Sequence, residues 1–286
     1  MICDSKSYIN LNAAFSEELC TTHVYGEEVQ SRGAIQKERL FVSFHIEDPT
    51  QLDITVPARK FNREYATLEW LWYISRNSKV NNIGKLARIW VDIQDQFGEV
   101  ESNYGTYIFD DQWQWIINEI KNDSDTRRAT VVINQPDHKS RNDKDYPCTH
   151  YLHFFIREGY LHLGAYMRSN DAVFGFCNDA FSFCLFQQLM LNELRDHYPT
   201  LKLGYYYHSA GSFHVYERHF KMMENIANNY YPQVVANGHP EVDPLKLKRH
   251  ITWNYIVQNG LALPSFDMSK EEIIEFTIKK SLELFE

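Results

Sequence analysis

The sequence predicts an α/β fold of the α+β kind, a mixed β-sheet flanked by helices, and three observations carry that expectation. Runs of β-branched and aromatic residues alternate with segments whose apolar residues recur at helical spacing. A composition of 44% hydrophobic and 15% aromatic residues over 286 positions is ample for a substantial core. No internal repeat, low-complexity tract or block of like charge divides the chain.

Leu40 to Ile46 reads as a strand, and Glu64 to Asn77 as a helix with Leu68, Leu71 and Trp72 on its apolar face. Glu69 lies among them, an unusual place for a carboxylate. Asp110 or Asp111 is placed to cap a helix through Trp113, Ile116, Ile117 and Ile120, which Asn122 to Asp125 ends. Arg127 and Arg128 follow, then a β-rich run from Ala129 to Gln135 and a polar loop, Asp137 to Tyr146, leading to Pro147-Cys148. Tyr151 to Ile156 and Tyr160 to Met167 read as strands joined across Glu158-Gly159, apolar on both faces as in a buried sheet. Asp179 or Ser182 opens a long helix through Leu185, Leu189, Leu191 and Leu194. Leu203 to Ser209 returns as a strand, and a helix spans about Tyr216 to Asn229. Pro232, Gly238, Pro240, Pro244 and Pro264 mark a looser region, closed by a helix whose Ser269 and Glu272 form a capping box.

The net charge of -9 argues against a protein that grips nucleic acid through a broad basic surface, and leaves room for a local anion pocket. The N-terminus lacks a signal-peptide pattern, and no apolar run approaches the roughly 18 residues of a membrane span. A cytoplasmic protein without membrane partners is expected. The five cysteines, Cys3, Cys20, Cys148, Cys177 and Cys184, are odd in number and hold no C-x-x-C pair, so neither a disulfide framework nor a metal site is signalled.

Chemistry collects in Arg168-Ser169-Asn170-Asp171, followed by Gly175 and Asn178-Asp179. Arginine, serine and backbone amides at a strand end are a natural phosphate cradle. Arg127 and Arg128 either add two guanidinium forks to it or serve as surface ion-pair partners. Cys148 is either an inert thiol or a nucleophile activated by the arginines gathered for a phosphate. A cysteine hydrolase is disfavoured, since no oxyanion-hole motif or third member is apparent.

Ser102-Asn103-Tyr104-Gly105, Pro147-Cys148, Met167-Arg168-Ser169-Asn170-Asp171 and Gly211-Ser212-Phe213-His214-Val215-Tyr216 stand in the order of a known family. From about Arg32 to His219 the chain resembles the thymidylate synthase superfamily. Val173 to Asp179 and Val215 to Phe220 look most like the deoxycytidylate hydroxymethylases of T-even-type phages. The resemblance implies a homodimer with a catalytic domain over residues 1–230 and a C-terminal extension over 231–286 packed on it. It also implies dCMP as substrate and 5,10-methylenetetrahydrofolate as one-carbon donor.

Carried over by position, Cys148 would add to ring carbon 6, Arg168 and Ser169 would hold the phosphate, and Arg127 and Arg128 would reach in from the partner subunit. Arg32 would close over the phosphate from an N-terminal loop, His214 and Tyr216 would bond the sugar 3′-hydroxyl, and Asn178 would lie by the base. Asp171, Trp90 and Gly175 would meet the folate. Glu69, shielded by Trp70 and Trp72, would organise proton transfers with a raised pKa, and Tyr104 would help remove the carbon-5 proton.

Thymidylate synthases carry asparagine where this chain has Asp179, and a carboxyl that accepts from an amine and shares a proton with N3 suits cytosine. A helix N-cap role for Asp179 is compatible with this. Asp179 does not decide between hydroxymethyl and methyl products; only the closer likeness favours hydroxymethyl. A dCMP or dUMP methyltransferase, and an inactive nucleotide- or RNA-binding homologue, are the alternatives. The C-terminal region departs from thymidylate synthases.

Overall fold

The computed structural model describes residues 5–141, 144–262 and 267–286. Its strands are β1 (Lys6–Tyr8), β2 (Glu27–Ser31), β3 (Ala34–Ile46), β4 (Thr130–Val132), β5 (Thr149–Arg157), β6 (Tyr160–Met167), β7 (Asn170–Asp171) and β8 (Lys202–Tyr216). They form one mixed sheet in the order β1-β3-β8-β6-β5-β4, with β2 beside β3 and β7 beside β8. The helices of the first half are α1 (Leu11–Tyr25), α2 (Arg63–Ile74), α3 (Arg88–Ile93), α4 (Gly105–Ile108), α5 (Asp111–Asn122) and α6 (His138–Arg141). Those of the second are α7 (Gly175–Leu194), α8 (Phe220–Asn225), α9 (Tyr231–Asn237), α10 (Trp253–Gln258) and α11 (Lys270–Leu284). This is the α+β arrangement expected.

Two hairpins follow from turn chemistry. Arg32 (φ 49) with Gly33 (φ 79) joins β2 to β3, and Glu158 (φ 53) with Gly159 (φ 79) joins β5 to β6. Both are two-residue left-handed turns whose twist matches that of paired strands.

α7 is the centre of the molecule: from Phe176 to Leu194 nearly every residue is buried, so it is apolar all round rather than striped. Gln187 is one of several polar residues buried in it. Its Nε2 donates to the carbonyls of Leu161 (2.9 Å), Gly204 (3.1 Å) and Tyr205 (3.2 Å), where β6 and β8 slip register between Leu161 and Leu163. One side chain thus satisfies carbonyls that the irregular ladder leaves over. Further along, Gln188 and Asn192 hold the chain's later segments: Gln188 Nε2 donates to Leu245 O (3.1 Å) and Asn192 Nδ2 to Ile251 O (2.8 Å).

The face of the sheet away from α7 carries Tyr151 stacked on Tyr166 (centroids 5.6 Å apart), with His153, Phe155, His162 and Tyr207 nearby. They line a shallow groove of about 430 Å³.

Several expectations about elements are corrected. α7 begins at Gly175, so Asp179 is a buried residue inside the helix and not its N-cap. Asp110 holds the N-cap position of α5, but its side chain makes no capping hydrogen bond. β8 continues through Gly211 to Tyr216, and the helical segment after it runs on past Asn229 as a π-turn and α9, with Pro232 in the first turn of α9, where a missing N–H is harmless. The loop from Asp137 contains α6, and positions 142 and 143 lie outside the described residues. The N-terminal loop that bears Arg32 is the two-residue turn between β2 and β3. Helix α1 and strand β2 were not anticipated. The Ser269/Glu272 capping box is present.

Candidate active site

Cys148 sits half-buried just before β5, and Arg168 stands opposite it, just past the end of β6. Antiparallel pairing fixes this juxtaposition: Arg168 N donates to Cys148 O at 2.9 Å. The Arg168 guanidinium then folds back over the approach to the cysteine, giving Nε to Pro147 O (3.2 Å) and Nη2 to Tyr146 O (2.6 Å). It also lies 5.0 Å from the Tyr146 ring centre. Among the described residues no carboxylate pairs with it, so a strong cation is held beside the thiol with donors to spare.

Burial pushes the Cys148 thiol up; Arg168 and, less, Arg32 pull it down, while Asp179 and Asp145 add to the rise. The expectation that gathered arginines activate the thiol is therefore met in sign by each guanidinium but not in the balance. The thiolate is favoured once Asp179 gives up its charge by taking a proton.

Asp179 projects from α7 and accepts from Asn170 Nδ2 at 2.9 Å. Burial raises its carboxyl to about 7, against the pull of the Asn170 hydrogen bond. Gly175 makes this packing possible, because a Cβ there would lie 3.1 Å from Asn170 Nδ2. Glu69, from α2, is raised to about 8 by burial and then by the charge of Asp179. Trp70 and Trp72 flank it on α2; the Trp70 ring packs toward Phe186 and Phe285, and Trp72 Nε1 donates to Lys79 O. Glu69 accepts from Tyr65 Oη at 2.7 Å, and Tyr65 accepts from Trp90 Nε1 at 2.9 Å. Trp90 thus enters the site through a hydrogen-bonded chain.

Tyr104 is buried and stacks on Tyr73 at 5.2 Å, and both Asp179 and Cys148 act on its phenol, which burial raises far above its usual range. The backbone here is tight, since a Cβ on Gly105 would meet Tyr73 O at 1.6 Å. β7 lies along β8 with Asp171 beside His214, and Tyr216 follows two residues on, ring centres 4.9 Å apart. His214 Nδ1 is 3.3 Å from Ser212 Oγ, and its Nε2 is buried with no protein partner among the described residues. Asp171 accepts from Val173 N at 2.9 Å and lies 3.9 Å from Arg218. Ser169 is half-buried, and Asn178 is buried one residue before Asp179.

A half-buried cysteine facing an unpaired arginine, two buried carboxyls with raised pKa values and a buried tyrosine is a setting for nucleophilic addition coupled to proton transfer. A family model described as thymidylate synthase matches residues 21–258. The chain belongs to the thymidylate synthase family. It is 31% identical to the deoxycytidylate 5-hydroxymethyltransferase of Enterobacteria phage T2 over 193 residues, 62% of this chain and 77% of that protein. It is 28% identical to the deoxyuridylate hydroxymethyltransferase of Bacillus phage SP01, over 80% of this chain and 63% of that one. Against the thymidylate synthase of Bacillus atrophaeus it is 27% identical, covering 53% and 69%. The protein is accordingly a folate-dependent one-carbon transferase acting on pyrimidine nucleotides.

Within this thymidylate synthase scaffold not every expected residue meets the others. Arg127 and Arg128 are exposed near β4, and Arg128 pairs with Glu119 of α5 (2.7 Å) rather than with any residue around Cys148. Arg32 is exposed at its hairpin tip but close enough to act on both Cys148 and Tyr216. Three residues escaped the sequence reading. Tyr65 stands one turn before Glu69 on α2, a spacing that signals contact. Asp145 accepts from Ser102 N at 2.7 Å and from its hydroxyl, tying the approach to Cys148 to the segment bearing Tyr104. Arg59 is buried, gives Nε to Val173 O at 2.7 Å and lies 4.5 Å from the Phe174 ring centre. Among the described residues no helix is long and apolar enough to cross a membrane.

Proposed function

We propose that this enzyme is a dCMP 5-hydroxymethylase, and the observation that carries the reading is Asp179, a buried carboxyl raised to about 7 within electrostatic reach of Cys148. A carboxyl near neutrality can accept from cytosine's exocyclic amine and place a proton on N3; the asparagine of thymidylate synthases suits uracil instead. Its protonation on binding also removes a charge that holds the Cys148 thiol up.

In this reading Cys148 Sγ forms a bond to carbon 6 while Asp179 shares its proton with N3, which takes up the released electron density. Carbon 5 becomes nucleophilic. Bound 5,10-methylenetetrahydrofolate would supply to carbon 5 a methylene group at the oxidation level of formaldehyde, its nitrogen departing as tetrahydrofolate when the carbon-5 proton is lost. Tyr104, with water ordered by Glu69, removes the proton from carbon 5. Water adds to the resulting exocyclic methylene, and the Cys148 sulfur leaves carbon 6.

The residues present fit a folate. Asp171 offers a carboxylate beside Arg218, Trp90 an indole tied to Tyr65 and Glu69, and Gly175 a bare backbone packed beside Asp171. Arg168 and Ser169 hold the phosphate under Arg32, His214 and Tyr216 hold the sugar through the unpartnered Nε2 edge, and Asn178 lines the base. Residues 1–230 form the catalytic domain and 231–286 an extension packed on it.

A second copy completes the phosphate site. Arg127 and Arg128 are exposed near β4, Arg128 paired with Glu119, and the open aromatic face of the sheet is the natural seat of a partner toward whose site they would reach. The enzyme acts in the cytoplasm, the host's if phage-encoded, with no nucleic acid or membrane partner. Mass analysis of the product from dCMP and methylenetetrahydrofolate tests the reading: a gain of CH₂O supports hydroxymethylation, a gain of CH₂ assigns the methyltransferase, and no product with dCMP sinks the cytosine assignment.

A further inference from the structure

Asn170 is 3% exposed, and no step above uses it. It lies in β7 against Phe213 of β8, with Nδ2 donating to Asp179 Oδ2 at 2.9 Å. That bond settles which way the amide faces. With Asp179 ionised, turning it over would bring Oδ1 against the carboxylate, acceptor against acceptor. Gly175 closes the space behind the pair, since its missing Cβ would stand 3.1 Å from Asn170 Nδ2 and 3.5 Å from Asp179 Oδ2. The amide oxygen is thereby fixed as an acceptor, buried, and without a protein partner among the described residues. Buried acceptors are ordinarily paired, so this one has room for a ligand donor or a water.

We propose that Asn170 is a second base-reading residue, which orients Asp179 and presents its own Oδ1 to the exocyclic amine of a 4-amino-pyrimidine. The inference rests on the cytosine reading of Asp179. The amine of cytosine has two N–H donors, one for each acceptor, whereas the 4-carbonyl of uracil has none. Uracil would leave Asn170 Oδ1 unpaired and facing another oxygen, a rejection of the wrong base as well as a recognition of the right one.

The test uses Asn170→Ala and Asn170→Ser in the full chain, with Asn170→Ser deciding alone if the alanine variant does not fold. Three quantities are measured: kcat/KM for dCMP and for dUMP, equilibrium binding of each nucleotide, and the pH profile with dCMP. The ratio of dCMP to dUMP should fall about tenfold, the equivalent of about 1.4 kcal/mol. The limb of the profile that disappears in Asp179→Asn should move to higher pH, because the hydrogen bond that holds the Asp179 carboxyl down is gone. Equal losses for both nucleotides with an unmoved profile would mean that Asn170 only props α7 against β7, or holds a water, and the proposal falls. A wild-type enzyme that prefers dUMP sinks the cytosine reading itself; a wild type that prefers dCMP with an unchanged variant ratio sinks only the role of Asn170.

Discussion

The charge of Asp179 reaches Glu69 and helps hold its carboxyl protonated up to about pH 8, while Asp179 itself rises to about 7. The two groups therefore lose their protons over the neutral range, the charge of Asp179 opposing that of Glu69.

Stability should record this. Between about pH 4.5 and about pH 8 the folded chain keeps a proton on Glu69 that the unfolded chain has lost, so stability falls as pH rises through that window, by about 1.4 kcal/mol per unit at most. Glu69→Gln removes this share. Its melting temperature should drop less than that of the wild type between about pH 5 and about pH 8.5, and it should be the more stable protein at the alkaline end. Parallel melting curves for the two would show that Glu69 is not protonated by burial.

Replacing Cys148 with serine should abolish turnover while dCMP binding, measured by calorimetry, stays within about threefold, because the phosphate and sugar contacts are untouched. Near-normal activity in Cys148→Ser would rule out the covalent mechanism.

Asp179→Asn keeps the shape of the site and exchanges one oxygen for an NH₂ group. The ratio of kcat/KM for dCMP and dUMP should move toward dUMP by about 2–4 kcal/mol, with some loss of absolute rate because the rest of the pocket is tuned to the carboxyl. An unchanged ratio would leave Asp179 as a packing residue of α7.

Arg127 and Arg128 should serve the partner subunit. A chain with both replaced by alanine, mixed with a Cys148→Ala chain, should regain activity in the hybrid dimers, one of whose two sites is intact. Absence of recovery after demonstrated subunit exchange would count against a shared site.

What the sequence disclosed, and what it hid, have physical causes. β5 and β6 were legible because the Glu158-Gly159 turn separates two runs of strand-forming residues, and α11 because its capping box is a local signal. α1 was not, because its buried side includes Asn12, Ser16, Glu18 and Thr22. Those polar groups are paired inside, Glu18 with Arg39 and Tyr8, and burial of paired polar residues erases the periodicity that marks a helix. The start of α7 was misplaced because aspartate is a favoured cap, whereas here its carboxyl is spent on Asn170. Of the residues the motifs single out, strand pairing sets Cys148 beside Arg168 and Asp171 beside His214. Asp145 and Arg59 stayed hidden because they act through tertiary contacts that no spacing announces, and Tyr65 because its i,i+4 spacing to Glu69 signals contact without signalling a site.

The burial of α7 on every side bears on how this scaffold changes its chemistry over evolutionary time. Neighbours crowd nearly every position from Phe176 to Leu194, so a residue of different volume there is punished by cavity or clash before it can be tested for a new activity. The α7 wall cannot drift in volume. Divergence at Asp179 is confined to exchanges of equal shape, and aspartate for asparagine is one of the few available: under the cytosine reading proposed above, a descendant that reads a different pyrimidine is a single codon change away.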